Sequence, residues 1–327
     1  MKFTKICKMT QEKLKRVLMG ELSFYYPVVI NEDGFLYAKG TEPVLLTAHM
    51  DTVHKVPVKK VVSKNSKGKT ILSSPQGIGG DDRCGIFMIL EILRTTDYRP
   101  SILFCEDEEI GGVGSAKFCK TGFVEELKEL KFFIELDRCN ANDVVFYDCG
   151  NKDFQKFVED TTGFETNFGS FSDISHLSPA TDVASVNISC GYYKQHTLEE
   201  YVVYEEMMDA IKATIKLIEV CGDVNQFDYQ EVKYSSKYNW YYDDFYTPST
   251  KSKEVMYGME FSYYDKDNNE VWDYVDGDNE MECLGRFLFE HPTLSYDDVL
   301  EYQPYYYDDY SYSAKLDEQQ LRYFYGY

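Results

Sequence analysis

The sequence predicts an α/β fold, with a mixed, mostly parallel β-sheet flanked by helices. Short apolar runs, such as residues 43–48 and 101–105, have the length and continuity of strands that are buried on both faces. Amphipathic stretches, such as residues 85–93, alternate with these runs and carry apolar side chains at helical spacing. Strands that alternate with helices are typical of a largely parallel sheet that is covered on both faces.

The predicted elements begin with a helix at residues 11–19 and a hairpin at residues 28–38, whose turn has the sequence Asn31-Glu32-Asp33-Gly34. A strand at 43–48 follows, and then a second hairpin within the polar residues 55–74, turning at 65–68. The remaining elements are a helix at 85–93, a strand at 101–105, helices at 113–120 and 123–130, a strand at 131–136, a helix at 152–160, a strand at 183–190 and a long amphipathic helix at 198–220.

The composition of the chain changes after Cys221 and Gly222. About two-thirds of all tyrosines lie from Tyr229 onward, where they are mixed with aspartates while aliphatic residues become sparse. We therefore expect a first domain at residues 1–225 and a Tyr/Asp-rich C-terminal region at residues 226–327. That region is expected to be a small α+β domain to about residue 290, with a short helix at 296–302 and a weakly ordered tail, or to be partly disordered.

The formal net charge of −22 argues against nucleic acid or an anionic membrane as a partner, because phosphate contacts need clustered lysine and arginine. No apolar run reaches the ~20 residues that a membrane span requires. The first residues are basic but no apolar segment follows them, so no signal peptide is expected. The nine cysteines form no CxxC pair, which favours free buried thiols and a cytoplasmic location.

Five acidic or histidine signals follow one another along the first two-thirds of the chain. They are His49-Met50-Asp51, Gly79-Gly80-Asp81-Asp82, Glu108-Glu109, Asp137 and His196. Most of them lie at or just after the end of an apolar run, and an α/β sheet brings such strand ends together. Two imidazoles and several carboxylates that converge on one point predict a site for two divalent cations, with zinc favoured, and therefore a hydrolase.

The residue types also suggest roles within this site. A metal-bound imidazole usually donates its other N–H to a carboxylate, so His49 is the expected ligand and Asp51 the residue that orients it. Neighbouring side chains in an extended segment point in different directions, so Glu108 and Glu109 are suited to the separate tasks of ligand and general base. Simpler explanations remain open, namely acidic residues that favour a helix N-terminus at Asp81 and a solvated acidic loop at 106–109.

Together the motifs resemble those of the co-catalytic zinc exopeptidases. This superfamily includes the peptidase T and carboxypeptidase G2-like group, the bacterial leucyl aminopeptidase-like group and the tetrahedral aminopeptidases. The resemblance covers roughly residues 40–205. The matching segments are Thr47-Ala48-His49-Met50-Asp51, Gly80-Asp81-Asp82-Arg83-Cys84-Gly85, Glu108-Glu109-Ile110-Gly111, Leu136-Asp137 and His196-Thr197-Leu198-Glu199-Glu200-Tyr201-Val202.

The resemblance implies a di-zinc metallopeptidase that hydrolyses terminal peptide bonds through a metal-bridging hydroxide, with Glu108 as general base and Asp51 as the orienter of His49. Two Zn²⁺ are the implied cofactors, with Co²⁺ or Mn²⁺ as substitutes. It also implies a cis peptide bond after Asp81. The implied ligand sets are His49, Asp81 and Asp137 for one ion, and Asp81, Glu109 and His196 for the other.

The sequence departs from the peptidase T-like pattern between Asp137 and His196. This stretch is too short for the separate lid or dimerisation domain of that group, so a catalytic domain without that insertion is expected. Substrate-binding residues are left unassigned. The C-terminal region is expected either to lie near the site and shape substrate choice or to be a module docked elsewhere. Its aspartates favour a protonated amine and hence an aminopeptidase. Ser172-Asp173 resembles a Ser/Thr-Asp pair of the superfamily, and His176 is expected to be a supporting or surface residue.

Two other interpretations remain open at this point. The same residues would suit an N-acyl amino-acid deacylase, whose substrate is a different amide. A metal-binding structural or docking protein that keeps the hydrolase fold without turnover is the alternative from another class, although the intact Glu108 argues against it. The substrate is thus expected to be a peptide or an N-acyl amino acid, and the sequence predicts no oligomeric state.

Overall fold

The structure is a computed structural model that describes residues 1–169, 171–232, 256–264, 270–276, 283, 286–287, 291, 294 and 299–306. The chain divides into two compact units, Met1–Lys233 and Tyr234–Tyr327. The boundary expected from the composition, between residues 225 and 226, lies shortly before this division.

The first unit has helices and strands in alternation. Its helices are α1 (Phe3–Ile6), α2 (Gln11–Leu22), α3 (Gly80–Thr95), α4 (Val113–Phe118), α5 (Val124–Leu127), α6 (Lys152–Thr162), α7 (Ile174–Thr181) and α8 (Tyr204–Val220). Its strands are β1 (Ile30–Glu32), β2 (Phe35–Ala38), β3 (Glu42–His49), β4 (Val62–Ser66), β5 (Lys69–Ser73), β6 (Pro100–Cys105), β7 (Phe132–Arg138), β8 (Asp143–Val145), β9 (Glu165–Thr166), β10 (Ser185–Ser189), β11 (Tyr192–Tyr193) and β12 (Tyr201–Val203).

The main sheet has eight strands in the order β1-β2-β6-β3-β7-β10-β8-β9. The central strands β6, β3, β7 and β10 run parallel to one another, while β1 and β2 pair antiparallel with their neighbours. Strand β8 is antiparallel to β10 and parallel to β9. The predicted fold, a mixed and mostly parallel sheet flanked by helices, is therefore confirmed.

The core lies on both faces of this sheet because successive side chains of a strand point to opposite faces. Leu46, Ile102 and Ile134 occupy matching positions on three adjacent strands and contribute to the larger buried cluster. Leu45 and Leu103 point to the opposite face, where a second cluster forms against α4, α5 and α7. All five side chains are fully buried, as the continuous apolar runs predict.

A second sheet has four strands in the order β11-β12-β5-β4. Its strand β12 occupies residues that were predicted to form the start of the helix 198–220. The helix α8 begins only at Tyr204, and Tyr201–Val203 is a strand. The sequence-based boundary is wrong because these residues carry apolar side chains near helical spacing, whereas pairing of Val202 with Leu72 of β5 holds them extended.

The stretch between β7 and β11 contributes helices α6 and α7 and strands β8, β9 and β10 to the main layers. The sequence analysis did not predict α7, which is short and contains Pro179, nor the two short strands β8 and β9. Across the described residues, no helix has both the length and the apolar character needed to span a membrane. All nine cysteines are free thiols, and eight of them are buried.

The second unit contains strands β13 (Met256–Tyr264), β14 (Glu270–Asp276) and β15 (Val299–Tyr306), which form an antiparallel sheet in the order β14-β13-β15. The rings of Phe261 and Phe287 stack at 4.6 Å in its small core. The predicted helix at 296–302 is wrong from Val299 onward, because those residues pair with β13. The predicted weakly ordered tail lies, beyond Tyr306, outside the described residues.

Candidate metal centre

Three neighbouring parallel strands end at one edge of the main sheet and bring the candidate residues together. His49 is the last residue of β3, Glu108 follows the end of β6, and Asp137 lies near the end of β7. Because β3 lies between β6 and β7, these side chains converge at the carboxyl edge of the sheet. Asp81 reaches the same place from the first turn of α3, and His196 from the turn between β11 and β12.

The first candidate metal-binding group consists of His49, Asp81 and Asp137. The Nε2 atom of His49 lies 3.0 Å from Oδ1 of Asp81 and 3.3 Å from Oδ1 of Asp137. The His49 side chain is fully buried, and the two carboxylates are almost so. These three residues are the set that the resemblance implies for one ion.

The second group consists of Asp81, Glu109 and His196. The Nε2 atom of His196 lies 3.2 Å from Oδ2 of Asp81 and 3.0 Å from Oε2 of Glu109. The two groups therefore share Asp81, which offers one carboxylate oxygen to each. The His196 side chain is 51% exposed, so the second group opens toward solvent while the first does not.

The backbone around Asp81 is held in an unusual path. The Asp81–Asp82 peptide bond is cis, which confirms the expectation drawn from the resemblance. The buried carboxylate of Glu200 accepts hydrogen bonds from the N–H groups of Gly79 at 2.8 Å and Asp81 at 3.0 Å. Glu200 also lies 2.9 Å from Nε2 of His54. The segment that carries His196 thereby positions the turn that carries Asp81.

Asp51 connects His49 with the acidic segment after β6. Its Oδ1 atom lies 3.1 Å from Nδ1 of His49 and accepts the backbone N–H of Glu108 at 3.0 Å. Its Oδ2 atom accepts the backbone N–H of Glu109, also at 3.0 Å. This arrangement suits the orienting role predicted for Asp51, and it extends that role to the two glutamates.

Asp82 takes no part in either group. Its buried carboxylate accepts the backbone N–H groups of His49 at 3.1 Å and Gly85 at 2.8 Å, so it joins the end of β3 to α3. A side chain at Gly85 is excluded because its Cβ atom would lie 1.8 Å from the carbonyl oxygen of Leu136. The small residue therefore permits α3 to approach β7 closely enough to deliver Asp81.

A chain of polar side chains supports Asp137. The Ser172 hydroxyl donates to Oδ2 of Asp137 at 2.8 Å, and the Asn187 side-chain oxygen accepts the backbone N–H of Asp137 at 3.0 Å. The Tyr192 hydroxyl donates to the carbonyl oxygen of Asp137 at 2.7 Å. These contacts leave Oδ1 of Asp137 facing His49.

The electrostatics of the site reflect carboxylates crowded in a buried place. Burial raises the pKa of Glu108 well above its ordinary value, and the charge of Asp137 adds to this effect against the opposing effect of His49. Burial likewise raises the pKa of Asp137 to about 7. Hydrogen bonds to Asp81 and Glu109 raise the pKa of His196 to about 11. Burial lowers the pKa of His49, but Asp137, Asp51 and Asp81 outweigh it and hold that pKa well above its ordinary value.

The residues present fit a pair of divalent cations. Oδ1 of Asp137 and Oε1 of Glu109 are buried and accept no hydrogen bond from the protein. Such unpaired buried oxygens are costly unless a cation neutralises them. Imidazole nitrogens combined with carboxylate oxygens are the donor set that zinc prefers, and one carboxylate shared between two groups is typical of two-metal sites.

Two supporting residues, Asn187 and His54, had no assigned role in the sequence analysis, and their contacts depend on the fold. Glu200 could have been noticed because it follows His196 within a matching segment. His176 lies outside both groups, where its ring packs at 5.2 Å from Phe171 and its Nδ1 lies 3.0 Å from the Ser115 hydroxyl. His291 belongs to the second unit, 3.0 Å from Asp273.

Comparison with known proteins agrees with this geometry. Residues 36–175 match the sequence model of peptidase family M28, whereas no curated protein sequence matches the chain. The fold resembles that of aminopeptidase PepT from Bacillus cereus, with a TM-score of 0.55 and 14% identity over 67% of this chain and 97% of that one. A tripeptidase from Staphylococcus aureus gives a TM-score of 0.54 and 13% identity over 68% of this chain and 97% of that one.

The solved structures share the fold at low sequence identity, and the family model covers strands β2, β3, β6 and β7 together with His49, Asp81, Glu108, Glu109 and Asp137. The segment that carries His196 lies beyond the matched residues, but it belongs to the same compact unit. Residues 36–175 therefore resemble peptidase family M28, and the chain shares its fold with the PepT and tripeptidase structures.

Proposed function

We propose that this protein is a metallopeptidase, and specifically a di-zinc aminopeptidase of the cytoplasm. The observation that carries the proposal is the pair of candidate groups that share Asp81, because two ions bridged by one carboxylate are the usual centre of such hydrolases. His49, Asp81 and Asp137 would hold one zinc, and Asp81, Glu109 and His196 the other. When bound, the ions would supply positive charge that acidifies water and stabilises negative charge on the carbonyl oxygen of the scissile bond.

Glu108 is the proposed general base. Its Oε2 lies 3.9 Å from Nε2 of His49, and its side chain is 12% exposed, so it borders the proposed metal centre without belonging to either group. Burial raises the pKa of Glu108 above its ordinary value, which is the direction that favours proton transfer by a carboxylate. Glu108 would take a proton from the attacking water and then donate it to the nitrogen of the leaving amine, which restores the carboxylate.

The charge around the site favours a substrate with a free amine. Among the described residues, the four proposed carboxylates (Asp81, Glu108, Glu109 and Asp137) form ion pairs with histidine alone, and no lysine or arginine takes part. A carboxypeptidase needs a cation that binds the free carboxylate of its substrate, whereas the net charge of −22 on the chain attracts a protonated amine. This supports an aminopeptidase over a carboxypeptidase.

A panel of matched amides tests the proposal. Chelated protein is reloaded with zinc and offered an unblocked tripeptide, the same tripeptide with an acetylated amine, and an N-acetyl amino acid. We expect release of the first residue from the unblocked peptide alone. Hydrolysis of the N-acetyl amino acid in preference would identify a deacylase, and no hydrolysis of any amide in zinc-loaded protein would contradict the proposal.

A further inference from the structure

The four consecutive acidic residues Glu106, Asp107, Glu108 and Glu109 face two different parts of the molecule. The backbone N–H groups of Glu108 and Glu109 bond to Asp51 within the site. The side chains of Glu106 and Asp107 point away from it, toward helix α2. The segment is thus anchored at both ends, instead of forming the solvated acidic loop that the sequence left open.

Two residues of α2, Gln11 and Lys15, make the outer contacts, which we call the α2 latch. Nζ of Lys15 lies 2.5 Å from Oε2 of Glu106, and both side chains are largely buried at 13% and 15% exposure. Nε2 of Gln11 donates to Oδ1 of Asp107 at 2.9 Å, and the Asp107 N–H donates to Oε1 of Gln11 at 3.4 Å. Since Gln11 and Lys15 are four residues apart, they lie on the same face of the helix.

The α2 latch contacts Asp107, whose backbone conformation sets the direction of the following residues Glu108 and Glu109. Asp107 has a φ of +60°, a left-handed conformation that is uncommon outside glycine, although aspartate is among the residues that adopt it more often. A return of Asp107 to an ordinary φ would redirect the peptide groups of Glu108 and Glu109 away from Asp51. The contacts of Gln11 with both the backbone and the side chain of Asp107 oppose that return.

The latch is not needed to dock the helix. Leu14, Leu18 and Leu22 on another face of α2 are fully buried in the main core, and this apolar contact fixes the helix independently. Loss of one polar contact at Gln11 or Lys15 should therefore leave the fold intact, and its main effect should fall on the placement of residues 107–109.

We propose that Gln11 and Lys15 are positioning residues for Glu108, and that α2 thereby sets the rate of catalysis from outside the site. The inference rests on the proposed function, because it assigns the latch to the general base of that reaction. A displacement of a reacting group by about 1 Å can cost up to ~10²-fold in rate, so a modest shift of Glu108 should be measurable.

The test compares Lys15→Met with Lys13→Met, which removes the same charge at an exposed position of the same helix, and adds Gln11→Ala. In Lys15→Met and Gln11→Ala we expect kcat to fall about tenfold or more, with KM and bound zinc close to those of Lys13→Met. Lys15→Arg should restore most of kcat because it keeps the charge. Equal kcat in Lys15→Met and Lys13→Met, or a fall in kcat matched by loss of zinc, would overturn the latch.

A second readout separates this inference from the proposed function. Hydrogen exchange of the segment 106–112 should quicken in Lys15→Met and Gln11→Ala but not in Lys13→Met. If zinc-loaded wild-type protein hydrolyses no peptide, the proposed function fails, and the latch is then judged on exchange alone. Unchanged exchange in both latch variants would overturn the latch whether or not the protein is a peptidase.

Discussion

Oδ1 of Asp51 lies 3.1 Å from Nδ1 of His49 and accepts the backbone N–H of Glu108 at 3.0 Å, so Asp51 places Glu108 relative to a proposed metal ligand. Asp51→Asn should weaken this placement for two reasons. The amide lacks the negative charge that orients His49, and it accepts fewer hydrogen bonds than the carboxylate. We expect zinc affinity to fall about 10–100-fold, and kcat to fall as well. Isothermal titration with zinc and steady-state rates measure both, with the exposed Asp33→Asn as control. Zinc affinity equal to that of the control would contradict the orienting role.

The separate roles of Glu108 and Glu109 can be distinguished by the same substitution at each. Glu108→Gln should retain two zinc ions and lose about 10²–10⁴-fold in turnover, because a general base contributes that much. Glu109→Gln should instead lower zinc occupancy, since Glu109 belongs to the second group. Zinc analysis and peptide hydrolysis are measured on both variants. Turnover of Glu108→Gln within a few-fold of wild type would show that the base has been misassigned.

The sequence predicts which residues lie close together where parallel strands determine proximity. His49, Glu108 and Asp137 follow or end adjacent strands, so the topology alone brings them together. The start of α8 was misplaced because pairing of Val202 with β5, which is distant in sequence, outweighs the local apolar spacing. The contact of Gln11 with Asp107 joins residues 96 positions apart and follows no sequence period, so no pattern could have shown it.

The metal-free protein should lose stability as the pH rises through the neutral range. The pKa of Asp137 is raised to about 7 in the folded state, whereas its unfolded pKa is about 4. The free energy of unfolding therefore falls as the pH rises from about 4 to about 7. The pKa of His196 is raised to about 11 in the folded state. Its contribution to the free energy of unfolding is therefore complete below about pH 6.5, its unfolded pKa, and is lost as the pH rises toward 11.

Both shifts act in the same direction, so the thermal midpoint of chelated protein should be higher at pH 5 than at pH 8. Zinc-loaded protein should show the opposite trend, because the ions bind the deprotonated ligands. Calorimetric scans with chelator and with zinc, at both pH values, measure the two trends. A chelated protein that is more stable at pH 8 than at pH 5 would contradict the assignment of these groups.

The boundary of the catalytic unit can be tested by truncation. The ring of Phe227 packs 5.1 Å from Phe154 and 6.3 Å from Phe132, so residues after Val220 contribute to the core of the first unit. A chain that ends at Lys233 should fold and bind zinc, whereas one that ends at Val220 should be less stable by about 1–3 kcal/mol, because it loses the partly buried ring of Phe227. Equal denaturant midpoints for the two would contradict this packing.

The truncated chain also tests the region from Tyr234 onward. We predict from its tyrosine and aspartate content that it shapes substrate choice, so its removal should change the ratio of rates on aminopeptidase and carboxypeptidase substrates. The ratio is measured at saturating zinc for the chain that ends at Lys233 and for the full-length protein. An unchanged ratio would exclude this role.

The most direct test of the account is the rate of peptide hydrolysis as chelated protein is titrated with zinc. If Asp81 is shared between two bound ions, hydrolysis of an unblocked peptide should rise with added zinc and reach a plateau at about two ions per chain. Elemental analysis of the protein at the plateau should give the same number. Fewer than one ion bound per chain, or no hydrolysis at any zinc concentration, would contradict the central claim.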